Sequence, residues 1–388
     1  MSSSQFNNNN WKLPENIAPS FQQVDQLFDC LTLHSAPANR VEFEHAPQDI
    51  LGISVDLGDG NPQSVADILQ VTHTDALLVI KDDKIAAEHY FNGMTVDQRH
   101  LLNSITKSFV GLLAGIAVER GQIDLQKLVT DYVPGLKDSA WSGATVRQVL
   151  DMTASVQYSE DYDDPTAGFN EESALVGWRS PLLSDRPCDT LFDFAQSLQP
   201  GDANHGDLYC YRTVCTNVLG MILEEAMDQP LERLLQHELW GKLGGRNHAA
   251  IVKDASEFPY VGAGLNTCTR DLARFGLMIL NHGALNGEQI IPASWVDDTF
   301  AGSDECRAQF AASKYAEIMP GWYYRNQCWV PALGRDVILG LGIHGQALFV
   351  DRTTNTVMVK FSSQPKAEMV EMHLAGLAAM NAIALSLN

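Results

Sequence analysis

Apolar residues recur at three- and four-residue spacing at Phe109, Leu112, Leu113, Ile116 and Ala117, which predicts a buried helix from Ser104 to Arg120. Gly121 follows it as a stop. The same spacing at Phe21, Val24, Leu27, Phe28 and Leu31 predicts a helix over Phe21–Thr32. Further helices are expected at Thr145–Met152, which opens on a capping threonine, and at Thr269–Asn281, Pro292–Phe300 and Met369–Leu387. Two more fill Val214–Gly241, broken near Asp228-Gln-Pro230. Ala76–Ile80 and Ile85–Phe91 flank a charged turn at Lys81–Lys84 and read as a β-hairpin. Gly321–Tyr324, Asp336–Leu339, Ala347–Asp351 and Thr356–Phe361 read as strands. Residues 153–207 show no period, and so long an irregular span marks a functional loop region.

Strands near both ends with helices between them imply one sheet closed by both halves of the chain. The fold class is therefore α/β (α+β), with an antiparallel sheet flanked by helices and a mostly helical insertion. The expected division is a polar tail over 1–20, a discontinuous sheet domain over 21–111 and 271–388, and an inserted helical lobe over 112–270.

Composition narrows the function. The chain has 388 residues, 45% of them hydrophobic, which suits a large folded core. With 26 Lys+Arg against 48 Asp+Glu, the formal charge is −22. That balance excludes nucleic acid and anionic membrane as expected partners, because both need basic patches. The start of the chain lacks the basic and apolar runs of a signal peptide, and no apolar stretch is long enough to span a bilayer. Seven scattered cysteines without Cys-x-x-Cys suggest a reduced, cytoplasmic setting. There is no Gly-x-Ser-x-Gly, no His-Glu-x-x-His and no P-loop motif. Gly340-Leu-Gly-Ile-His-Gly345 matches a dinucleotide fingerprint but leads into a strand, so no cofactor is expected. Glu160, Asp161, Asp163 and Asp164 lack calcium-loop spacing and read as a solvated acidic loop, and no metal site is expected.

The chemistry gathers at Asn103-Ser-Ile-Thr-Lys107. Three residues apart, Ser104 and Lys107 share a helix face. A lysine whose pKa is lowered by burial can take the serine proton. Ser104 can equally be a helix N-cap. A second copy, Ser363-Gln-Pro-Lys366, is interrupted by proline and makes a poor helical pair. Tyr211 stands at the mouth of the next helix, with Thr213 beside it. Near a cationic lysine it could lose its proton readily and relay it to a leaving group, or it could be a half-buried core tyrosine. The glycines at 340–345 let a backbone approach a ligand closely, and one N–H there could complete an oxyanion hole with that of Ser104. A bulged edge strand is the alternative.

Ser104-x-x-Lys107, Tyr211-Arg-Thr213 and Gly342-Ile-His-Gly-Gln346 resemble, in order and spacing, the motifs of the serine β-lactamase and penicillin-binding superfamily. The resemblance is closer to the 6-aminohexanoate-dimer hydrolases, the nylon-oligomer amidases. It rests on Thr74–Val79, Ser104–Gly111, Thr130–Pro134, Thr145–Met152, Ser159–Pro165 and Tyr211–Gly220. It implies a β-lactamase-like fold and a serine hydrolase acting on a small amide or ester, without cofactor, as a monomer or a homodimer. It assigns Ser104 as nucleophile, Lys107 as its base and Tyr211 as proton donor to the leaving amine. The N–H groups of Ser104 and Ile343 would form the oxyanion hole, with that of His344 as the other choice for the second donor. Tyr162 and Trp178, with His344 and Gly345, would contact substrate. His344 by itself also reads as structural.

Two departures bear on the substrate. No Lys-Thr-Gly lies beside Gly342, which points away from a β-lactam carboxylate, and Thr213 stands where the superfamily has asparagine. A linear-amide hydrolase, a β-lactamase-like carboxylesterase and a non-catalytic penicillin-binding-like protein are the three readings.

Overall fold

The computed structural model describes residues 6–36, 42–58, 60–179 and 188–388. Its main sheet has seven antiparallel strands: β1 (Thr74–Lys81), β2 (Lys84–Tyr90), β3 (Tyr323–Arg325), β4 (Cys328–Val330), β5 (Val337–Gly342), β6 (Gln346–Asp351) and β7 (Thr356–Ser362). Their order is β3-β4-β5-β6-β7-β1-β2, so the hairpin from the first quarter of the chain pairs with the last strand of the C-terminal run. The helices that matter most are α1 (Thr106–Glu119), α2 (Thr213–Met227), α3 (Thr269–Leu280) and α4 (Val370–Ser386).

The central strands are buried along their length, save for Lys81 at the end of β1, because both faces of the sheet are covered. Gly276 of α3 sits against Val357, while Gly376 of α4 sits against Lys360. Positions 357 and 360 of one strand point to opposite faces, so α3 and α4 cover the two sides. A Cβ on Gly276 would fall 2.5 Å from Val357 Cγ1, which is why that helix position is glycine. α1 runs through the interior and is buried over its first twelve residues. It closes on the sheet at Gly111, where a Cβ would stand 2.1 Å from Asn326 O.

The hairpin, α1, α3, α4 and the four C-terminal strands lie where periodicity placed them, within one to three residues at most ends. Cys328–Val330, with three residues and an Asn-Gln turn before it, escaped the strand reading. Two expectations near the start are corrected. Phe21–Thr32 is not one helix: short helices Ile17–Phe21 and Val24–Leu27 give way to a strand, Cys30–Leu33, paired antiparallel with Ala249–Val252. A long-range partner overrides the local period there. The described part of the expected polar tail, 6–20, is not free: Phe6, Trp11 and Ile17 are buried, and the Trp11 indole donates to Trp178 O at 3.0 Å. Among the described residues no helix is long and apolar enough to cross a membrane.

Candidate active site

Ser104 lies in a 3₁₀ turn, Asn103–Ile105, that feeds α1. It does not serve as an N-cap: no side chain caps the start of either helix. The turn is fixed from both flanks. Leu102 N donates to Leu265 O at 2.9 Å, and Thr106 Oγ1 donates to Asn103 O at 2.7 Å. Asn103 adopts φ 48°, a left-handed conformation that asparagine tolerates better than most residues. Its amide donates to Ile343 O at 3.1 Å and so ties the serine turn to the end of β5.

Lys107 is wholly buried one turn along, and its three hydrogens have three acceptors. Nζ donates to Ser104 Oγ at 2.9 Å, Thr213 Oγ1 at 3.1 Å and Gly262 O at 2.5 Å. Burial pulls its pKa from 10.5 down to about 8, against the charges of Glu160 and Glu172, which hold it up. The substitution of threonine for the superfamily's asparagine therefore keeps an acceptor on the lysine. Gly262 is glycine for a steric reason: a Cβ would lie 2.4 Å from Thr213 Cγ2. Its N–H is held in turn by Asn217 Oδ1 at 3.0 Å.

Tyr211 precedes α2 by two residues and meets the Ser104 hydroxyl. Its ring stacks on Trp329 (5.4 Å, 23°), and Lys107 Nζ lies 5.0 Å from the ring centroid. Burial drives the phenol well above its ordinary value, and Glu160 adds to that, while the contact with Ser104 opposes it. The expectation that the lysine would ease its ionisation is thus corrected. Tyr211 is held as a proton-bearing phenol.

The third motif ends β5. Gly342 lets the strand end touch the serine turn, since a Cβ would stand 2.6 Å from Leu102 O. His344 N is committed to Ala367 O at 2.9 Å, which removes it as a free donor. The His344 ring is buried edge-on against Phe21, 5.2 Å between centroids, and shares a hydrogen bond with Gln364 O at 2.7 Å. Burial lowers its pKa to about 3, so it is neutral. Gly345 (φ 89°) lies against the Gln364 side chain.

The two aromatics expected to contact substrate, Tyr162 and Trp178, lie on the irregular segment, and neither has a direct contact with Ser104 among the described contacts. Tyr162 is half-buried, its hydroxyl donates to Glu160 Oε2 at 2.8 Å, and its ring meets Phe169 edge-on at 4.8 Å. Trp178 is buried between Trp11 (5.4 Å) and Tyr260 (5.2 Å). Asp161, Asp163 and Asp164 are exposed, but Glu160 is not part of a solvated loop. It turns inward to accept from the Thr213 N–H at the start of α2. Glu172 is fully buried and accepts from Tyr158 and Asn217. Burial, with the charge of Glu160, pushes it to about 8, while the hydrogen bonds from Tyr158 and Asn217 pull the other way.

Asn103, Glu160, Glu172, Asn217 and Gly262 are the site residues that sequence reasoning missed. Only Gly262 carried a local signal, in the pair Gly262-Ala-Gly264, where missing side chains permit close backbone approach.

The β-lactamase family profile matches residues 65–380. The chain is 36% identical over 305 residues to the 6-aminohexanoate-dimer hydrolase of Paenarthrobacter ureafaciens, covering 79% of this chain and 76% of that one. A solved Bacillus anthracis protein, provisionally described as a 6-aminohexanoate-dimer hydrolase, superposes with a TM-score of 0.90 at 26% identity. That match takes in 100% of this chain and 98% of the other. EstCE1, a hydrolase with promiscuous acyltransferase activity, shares the fold alone: TM-score 0.63, 16% identity, 82% of this chain and 98% of that one. The chain accordingly belongs to the β-lactamase family, as a serine hydrolase of the amidase and esterase kind related to the 6-aminohexanoate-dimer hydrolases.

Proposed function

We propose that the protein hydrolyses a small linear amide through an acyl-enzyme on Ser104. The observation that carries the reading is the buried 2.9 Å contact between Lys107 Nζ and Ser104 Oγ, with burial lowering the lysine pKa to about 8. In its neutral form Lys107 takes the Ser104 proton as Oγ attacks the carbonyl carbon. Negative charge then develops on the carbonyl oxygen, and the N–H groups of Ser104 and Ile343 receive it. His344 is spent on Ala367, which favours Ile343 as the second donor. As the C–N bond breaks, Tyr211 gives its proton to the departing amine, and the Lys107 ammonium restores it. Water then attacks the ester. Its proton returns through the same pair, and Ser104 is released.

Tyr162 and Trp178 form the substrate wall in this reading. The seven cysteines are all free thiols, which supports a reducing, cytoplasmic setting. A carboxylesterase is the second reading, because an ester asks less of the proton donor at the same corner. Turnover of an aminohexanoate dimer, p-nitrophenyl butyrate and nitrocefin by the purified protein separates the two. The amide reading expects hydrolysis of the dimer and little of nitrocefin. Turnover of the ester alone would replace it with the second reading.

A further inference from the structure

Lys12 is a half-buried cation that lacks an acidic partner among the described residues. Its Nζ stands 4.6 Å from the Trp11 ring centroid, 4.6 Å from that of Trp178 and 6.0 Å from that of Phe169. The group felt most strongly beside it is a second cation, Arg179. Arg179 donates to Tyr162 O at 3.2 Å. The Trp178 indole N–H is buried and has no acceptor among the described residues. Arg179 feels the charge of Asp163, but Lys12 and the indole N–H have no anion or acceptor of their own, which is a costly arrangement unless a ligand completes it.

Ring contacts link this corner to Tyr162 on one side and to His344 on the other. Phe169 meets Tyr162, and Trp11 meets Phe21, which meets His344 next to Ile343. The charge of Lys12 is felt at His344 itself. Aromatic faces on two sides keep water from the ammonium and leave it open to a ligand that brings its own charge. Burial and Arg179 together lower Lys12 to about 7, so a bound anion would also draw it into its charged form.

We propose that Lys12, Arg179 and the Trp178 indole form an anion subsite, which takes the carboxylate at the far end of a linear substrate. It rests on the reading of Ser104 as the nucleophile. The subsite supplies from another segment the cation that is absent beside Gly342. Lys12 is a specificity residue here and takes no part in proton transfer.

Calorimetry with sodium hexanoate and hexanamide tests this without turnover, in Ser104→Ala protein and in the same protein with Lys12→Met or Lys12→Arg. Hexanoate should bind better than hexanamide. Lys12→Met should remove about 10- to 100-fold of that preference, the worth of one hydrogen bond to a charged group, and Lys12→Arg should retain most of it. Equal binding of the two probes, or a preference unchanged by Lys12→Met, would overturn the subsite. In Ser104-intact protein, Lys12→Met should lower kcat/KM for p-nitrophenyl hydrogen adipate relative to p-nitrophenyl butyrate, chiefly through KM. A parallel fall for both esters would mean a structural role instead. Absence of ester and amide turnover in unaltered protein would count against the hydrolytic reading of Ser104 and leave the calorimetric result standing.

Discussion

The Ser104 corner and the wall proposed to face it are built in different ways. The corner is made of regular elements: a 3₁₀ turn, the first turn of α1, the start of α2 and the end of β5. Backbone acceptors and missing Cβ atoms hold it, at Gly262 and Gly342. The wall lies on a largely irregular segment, and carboxylates hold it: Glu160 joins Tyr162 to the start of α2, and Glu172 joins Tyr158 to Asn217. A corner built from packing should fail abruptly when altered. A wall built from ionisable groups should respond in degrees and with pH. In the proposed reading, reaction chemistry is fixed by the rigid region, and substrate choice is left to the adjustable one.

Four substitutions sharpen that contrast. Lys107→Met keeps the apolar stem but removes the base, and should lower kcat by about a thousandfold or more with little change in KM. Tyr211→Phe should cost about 100- to 1,000-fold on amides and distinctly less on p-nitrophenyl esters, whose leaving group needs no proton. Equal losses on both would remove Tyr211 from the donor role. Gly342→Ala forces a Cβ to within 2.6 Å of Leu102 O, where only backbone can yield. It should lower stability by about 1–3 kcal/mol, seen as a fall in Tm, and depress kcat together with it. Glu160→Gln should change stability least and activity by about tenfold or less.

The pH profile tests the wall more finely. With neutral Lys107 as the proposed base, kcat/KM should rise with pH and level off above about 8. The charge of Glu160 raises the lysine pKa, and Glu160→Gln should therefore move the rising limb to lower pH. A limb that stayed in place would separate Glu160 from the lysine.

The legibility of the sequence follows the same line. Ser104, Lys107 and Tyr211 could be found because motif spacing and helix starts are local properties. The hairpin and the C-terminal strands were readable for the same reason, each being a run of apolar residues bounded by turns. Gly262 is 155 residues from the lysine it holds, and Asn103 is 240 from Ile343. No period records such meetings. Glu160 looked like its exposed neighbours Asp161 and Asp163, because the inward turn of one side chain in an acidic loop is decided by what lies opposite. Trp11 was hidden in a polar stretch, since a single large residue carries no periodicity, yet it anchors the segment that bears Lys12.

The central claim is that Ser104 becomes acylated. Mass spectrometry of the protein treated with a fluorophosphonate, followed by peptide mapping, tests it most directly. The account predicts one adduct, on the peptide carrying Ser104, lost in Ser104→Ala and slowed in Lys107→Met. An adduct on another residue that persists in Ser104→Ala, together with undiminished hydrolysis by that variant, would contradict it.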